Sequence, residues 1–203
     1  MQESYFDGGL LQLIGYRFLG MLVTVLTLGI CLPWAYTMVY GWETKHTVIN
    51  GERLTFDGTA IGLFGNWIKW FLLTVITLGI YGFWVGIKLK KWRIAHTHTE
   101  HNPHGESYFD GGLLQLLGWA LLSSLIAAVT LGICLPWAYT MAYNWETKHT
   151  VINGRRLQFD GTALGLFGNW IKWLLLSIIT LGIYSFWIQI KLKNWIVSHS
   201  YFC

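Results

Sequence analysis

A long internal self-similarity constrains this chain more than any other feature: residues 4–97 align without a gap to residues 107–200, at a constant offset of 103. TLGICLPWAYTM, WETKHTVING and GLFGNWIKW each occur twice at that spacing. A fainter repeat lies inside each copy at an offset of 50, placing Phe6-Asp7-Gly8 over Phe56-Asp57-Gly58, Thr27 to Ile30 over Thr77 to Ile80, and His46-Thr47 over His96-Thr97. The chain is therefore four units of about fifty residues, and each must solve the same burial problem as its neighbours. The expected organisation is a first repeat over 1–98 (units 4–47 and 54–97), a polar, His-rich linker over 99–106, and a second repeat over 107–203 (units 107–150 and 157–200).

Hydropathy then suggests where such units would live. The sequence is 54% hydrophobic and only 12% charged, about half the charge of an ordinary soluble domain. Uncharged apolar runs extend over Phe18 to Trp42, Trp70 to Ile87, Leu113 to Trp145 and Trp173 to Ile190, and a run of 18 or more is a candidate membrane span. The 13 Trp and 10 Tyr fit the aromatic belts at water-lipid boundaries. These observations predict an all-α, multi-pass integral membrane protein in which each unit pairs a transmembrane helix with an aromatic and basic, interfacial or half-spanning helix. Asn50-Gly51 and Asn153-Gly154 sit between β-prone runs and predict small hairpins outside the bilayer.

The short acidic stretch Met1 to Asp7 lacks the marks of a cleaved secretory signal. Lys88, Lys90, Lys91 and Arg93 outnumber the basic residues near the first hairpin, so single crossings would place both termini in the cytoplasm. The rival topology makes TLGI a turn, each unit a helical hairpin, and all loops lie on one side. The basic residues flank apolar spans rather than forming a basic face with aromatic platforms, which argues against nucleic acid. The partners expected are the lipid bilayer, anionic lipid headgroups, and a second copy or a larger membrane partner.

FDGT at Phe56 to Thr59, TLGIY at Thr77 to Tyr81 followed by Trp84, a basic helix, and His46-Thr47 before a Gly-containing hairpin resemble the YjgN-like family of bacterial membrane proteins of unknown function. Pro33-Trp34 and Pro136-Trp137 fit its pattern, whereas Phe83-Trp84 and Phe186-Trp187 lack the proline and lysine replaces much of the arginine. The resemblance implies a location in the bacterial inner membrane and an architecture, and no activity.

Candidate functional residues follow from the unit pattern. Lys69 and Lys172, with Lys88, Lys90, Lys91 and Arg93, are candidate lipid or substrate contacts, as snorkelling cations or as markers of an anion path. Asp7, Asp57, Asp110 and Asp160 recur with Trp34, Trp84, Trp137 and Trp187 and with His46, His96, His149 and His199; the acids and imidazoles suit either proton relay or helix capping. His96, His98, His101 and His104 read as a solvated loop rather than a metal site, and Cys31, Cys134 and Cys203 as small apolar residues. No P-loop, nucleophile elbow, HExxH or dinucleotide fingerprint is present, so no catalytic, cofactor or metal residues are expected. The functional expectation is a small transporter or channel, with a non-catalytic accessory protein that binds lipid headgroups or a larger membrane partner as the alternative.

Overall fold

The structure, a computed structural model, describes residues 3–203; Met1 and Gln2, with which the acidic N-terminal stretch begins, lie outside the described residues. Each of the four apolar runs is interrupted near its middle. In the first, helix α1 (Leu10–Leu26) gives way at Thr27 to a tight turn, and α2 (Leu32–Lys45) begins directly after Cys31. Between them Leu28 and Gly29 take φ of 51° and 85°, a left-handed pair that no helix can contain. The Thr27 hydroxyl donates to the Val23 carbonyl (2.7 Å) and accepts from the Cys31 amide (3.1 Å), bridging the turn. The same break separates α3 (Ala60–Ile76) from α4 (Gly82–Ala95), α5 (Leu113–Val129) from α6 (Leu135–Lys148), and α7 (Ala163–Ile179) from α8 (Ser185–Ser198).

The expectation of an all-α membrane-spanning fold is therefore corrected: among the described residues no helix is long and apolar enough to cross a membrane. The longest helices have 17 residues, about 26 Å, against the roughly 20 residues a crossing requires. Each run is one apolar stretch in composition but two helices in space. The multi-pass inner-membrane placement, with its cytoplasmic termini, falls with the spans on which it rested. The aromatic belt is corrected as well, because Trp42, Trp70, Trp145, Trp170 and Trp173 are buried in the protein's own core.

The fold also contains two four-stranded antiparallel sheets. Strands β1 (Tyr5–Phe6), β2 (Thr47–Ile49), β3 (Glu52–Phe56) and β4 (Thr97–Thr99) pair in that order, and β5 (Tyr108–Phe109), β6 (Thr150–Ile152), β7 (Arg155–Phe159) and β8 (Ser200–Phe202) repeat it. Asn50 and Gly51 take φ of 50° and 75° and close the β2–β3 hairpin, as a type I′ turn requires; Asn153 and Gly154 close β6–β7. The helical hairpins enter between β1 and β2, β3 and β4, β5 and β6, and β7 and β8. All four leave their sheets on the side away from the Asn-Gly turns, so the TLGI turns share one end of the molecule.

The helices close into a ring. Each touches its sequence neighbours from α1 to α8, and α8 returns to α1. At the closures α4 packs on β5 and α8 on β1. A pseudo-twofold axis relates the halves and passes between equivalent residues: the Arg155 guanidinium donates twice to the Glu52 carboxylate (2.8 and 2.5 Å). Ile49, Leu54, Ile152 and Leu157 form an apolar cluster around that axis.

The recurrent Phe-Asp-Gly is a knot at the base of each hairpin. Phe6 meets Trp42 edge-on at 5.7 Å, and Phe56, Phe109 and Phe159 meet Trp92, Trp145 and Trp195 in the same way. The glycine is required by this approach: a Cβ on Gly8 would lie 2.5 Å from the Phe6 ring and 2.8 Å from Trp42. Gly8→Ala and Gly111→Ala should each cost about 1–3 kcal/mol by overpacking, read as a lower midpoint in urea unfolding; midpoints equal to the parent's would show that the knot has slack.

Candidate functional site

The inner helices α2, α4, α6 and α8 surround a cavity of about 470 Å³ near the sheets. Two layers of equivalent positions contribute to it. Lys90, Tyr143 and Lys193 line it from one, whose fourth position is Tyr40; Glu43, Arg93 and Glu146 line it from the other, whose fourth position is Ile196. Lys193 Nζ lies 2.9 Å and Arg93 3.4 Å from Glu43, while Lys90 Nζ lies 2.6 Å from Glu146. The Arg93 guanidinium also stacks 4.4 Å from the centre of the Tyr40 ring. Lys90 rests over Phe109 and Lys193 over Phe6, at 5.4 and 5.8 Å, so each amine crosses the junction between repeats.

Below these layers Thr47, Thr97, Thr150 and Ser200 are buried. Their hydroxyls donate to the carbonyls of Glu43, Arg93, Glu146 and Ile196, at 2.7–2.9 Å, anchoring the charged layer to the strands. The apolar cluster of Ile49, Leu54, Ile152 and Leu157 lies beyond and seals the sheet side.

Burial, the largest influence on Glu43, would raise its pKa, but Lys193 and Arg93 together outweigh it and hold the carboxyl below its ordinary value. Burial lowers the Lys193 amine, an effect that Glu43 only partly offsets; 29% of its side chain remains accessible, and it lines the cavity. Burial raises the phenols of Tyr40 and Tyr143. The cluster is thus a desolvated ion network.

Lys90 and Arg93 are the two sequence candidates that reach this site. Lys88 lies over the Tyr81 ring at 5.7 Å, while Lys69, Lys91 and Lys172 are exposed on the outside. Trp34, Trp84 and Trp187 are exposed near the turns, with Trp137 half-buried there. The aspartates and histidines do come together, through backbone: the amides of Asp7, Asp57, Asp110 and Asp160 donate to the carbonyls of His46, His96, His149 and His199 at 3.0–3.1 Å. Each imidazole packs on the tryptophan four residues earlier, and its Nδ1 donates to that residue's carbonyl. The Asp7 and Asp110 carboxylates pair with Arg53 and Arg156 at 2.7 and 2.8 Å. Gly9, Thr59, Gly112 and Thr162, not the aspartates, stand at the helix N-caps. His98 is held by the Gly105 carbonyl at 3.0 Å and lies 3.5 Å from Asp57; among the described residues no three His, Cys, Asp or Glu side chains are grouped to hold a metal ion.

Glu43, Glu146, Lys193, Tyr40 and Tyr143 belong to the site without standing out in the unit motif. A signal for the first two lies in the repeat all the same: read down one unit position, Glu43, Arg93 and Glu146 alternate in sign.

Fold and site together define a ring of four helical hairpins, seated on two β-meanders around a buried ion network. Residues 154–202 match the family model described as "Bacterial protein of unknown function (DUF898)", the YjgN family, consistent with the YjgN-like resemblance of the unit motif. The matched segment runs from the turn glycine of the second Asn-Gly hairpin to the end of β8, essentially the fourth unit. Neither the comparison with curated proteins nor that with solved structures gives a match.

Glu43→Gln should cost about 3–5 kcal/mol, because it leaves Lys193 buried without its partner, and Glu43→Gln with Lys193→Met should recover most of that loss. The depressed Glu43 pKa contributes stability that is present above the unfolded value, near 4.5, and is lost as pH falls through the lower folded value. Thermal melts from neutral to acidic pH should therefore fall less steeply in the double variant than in the parent. Parallel profiles would show that Glu43 is not held ionised by its neighbours.

Proposed function

We propose that the protein is a non-catalytic accessory protein that seats on a lipid surface from one side. The observation that carries this reading is the set of four TLGI turns: Leu28, Leu78, Leu131 and Leu181 are 92%, 94%, 87% and 93% exposed while held at φ of 48–51°. A bulky residue at positive φ costs on the order of 1–2 kcal/mol, and an exposed leucine recovers none of it in water. Withdrawal into hydrocarbon contributes about 2 kcal/mol per leucine. Lipid is the occupant these tips fit, because all four point to one end and are surrounded by exposed Val75, Ile76 and Ile80 and their equivalents, with Phe83 and Phe186 exposed beside two of them.

The depth is bounded by charge. Exposed Lys69 and Lys172 lie eight residues before Thr77 and Thr180, about 12 Å along their helices. That is close to half of a hydrocarbon core of about 30 Å, so lysines at headgroup level leave the tips within one leaflet, and the chain returns to the side it came from. The four hairpins run parallel, each returning to the sheet it left.

Flotation with phosphatidylglycerol-containing vesicles should recover the parent protein, and replacing Leu28, Leu78, Leu131 and Leu181 together by Asp should abolish recovery. Removing Lys69 and Lys172 as Gln variants should weaken binding to anionic vesicles roughly thirtyfold, at about 1 kcal/mol per lysine. Equal recovery of the tip variant, or association of the parent with itself and not with vesicles, would refute the reading.

A further inference from the structure

The ion network is unbalanced, and the imbalance is concentrated on one side of the pseudo-twofold axis. Glu146 is matched by Lys90. Glu43 is shared by Arg93 and Lys193, and Arg17, at the cavity rim, adds a third positive charge to the field it experiences. Among the described residues Arg17 hydrogen-bonds only to the neutral Gln189 side chain. Its equivalent in the second repeat is Ala120, and that of Arg93 is Ile196. The second half therefore lacks both arginines, and the excess belongs to one place in the cavity rather than to the repeat.

We infer that this side of the cavity is an anion site that receives a phosphate group beside Glu43, between Arg17 and Lys193. Two excess positive charges beside partly buried groups, where charges interact more strongly than in bulk water, are stabilised by an anion, and guanidinium with ammonium is a donor set suited to phosphate oxygens. The cavity volume of about 470 Å³ lies within the range of small-ligand sites, while a bare phosphate or a phosphodiester headgroup is small enough to enter. Burial and the neighbouring Arg93 both lower the Lys193 amine, and an arriving anion would favour its charged form. The site does not depend on the tips entering lipid.

The test is calorimetric titration of the full chain with inorganic phosphate and, separately, with short-chain phosphatidylglycerol below its micelle concentration. Saturable one-to-one binding is expected, with a rise in Tm on addition of the ligand. Phosphate binding that the lipid does not improve assigns a free anion; tighter binding of the lipid assigns a headgroup, and either supports the site. Arg17→Gln, at the rim and outside the buried pairs, should fold and lose at least tenfold in phosphate affinity, while Lys69→Gln with Lys172→Gln, which weakens vesicle binding, should leave the affinity for inorganic phosphate unchanged and so separate this site from the lipid-surface reading. Absence of saturation by both ligands at millimolar concentration, or undiminished affinity in the Arg17 variant, would overturn the assignment.

Discussion

The left-handed Leu-Gly pair in each TLGI turn is the constraint on which the rest of the architecture depends. By reversing the chain after 17 helical residues, it returns every unit to the sheet it left. Only then can the Asp amide reach the His carbonyl, the FDG phenylalanine reach its tryptophan, and the short strands pair. A straight continuation would carry those groups tens of ångströms apart. Strands of two or three residues could not persist alone; they exist because the hairpins deliver them together.

The same reversal sorts the molecule by polarity along its length. Strained, exposed leucines occupy one end, the charged layers lie near the other, and the sheets close the base. Inside the ring, long cationic side chains from α4 and α8 reach across the repeat junctions to rest on Phe109 and Phe6. The ion network therefore fastens the halves together as well as lining the cavity. Its burial makes it a poor source of net stability but a strict one of geometry, since each charge left unmatched is penalised.

Much of this is legible in the residues. The duplication, the fifty-residue unit and the Asn-Gly hairpins can be read directly because each rests on a local pattern. The helix lengths cannot, because Leu28 and Ile30 are as apolar as the helices around them, and hydropathy carries no record of φ. TLGI is visible as a bend, and the hairpin topology is one of two readings it allows. The sheets are hidden because Tyr5–Phe6 is too short for a period of two. Lys88, Lys90, Lys91 and Arg93 occupy several faces of one helix and so resemble an interfacial segment; that Lys90 and Arg93 face carboxylates on other units emerges only when the repeats close into a ring.

The contact between Glu52 and Arg155 bears on how such a chain can arise. Both residues occupy the same place in their repeats, and the axis runs between them, so in an assembly of two identical halves each would confront its own copy. Two glutamates or two arginines would then repel at that point. Opposite charges become available only once both halves are written in a single polypeptide, where each can mutate without the other. Arg17 against Ala120 and Arg93 against Ile196 exploit the same freedom. Covalent fusion here converts a symmetric ring, which could offer only duplicate half-sites, into one with a distinguishable front and back.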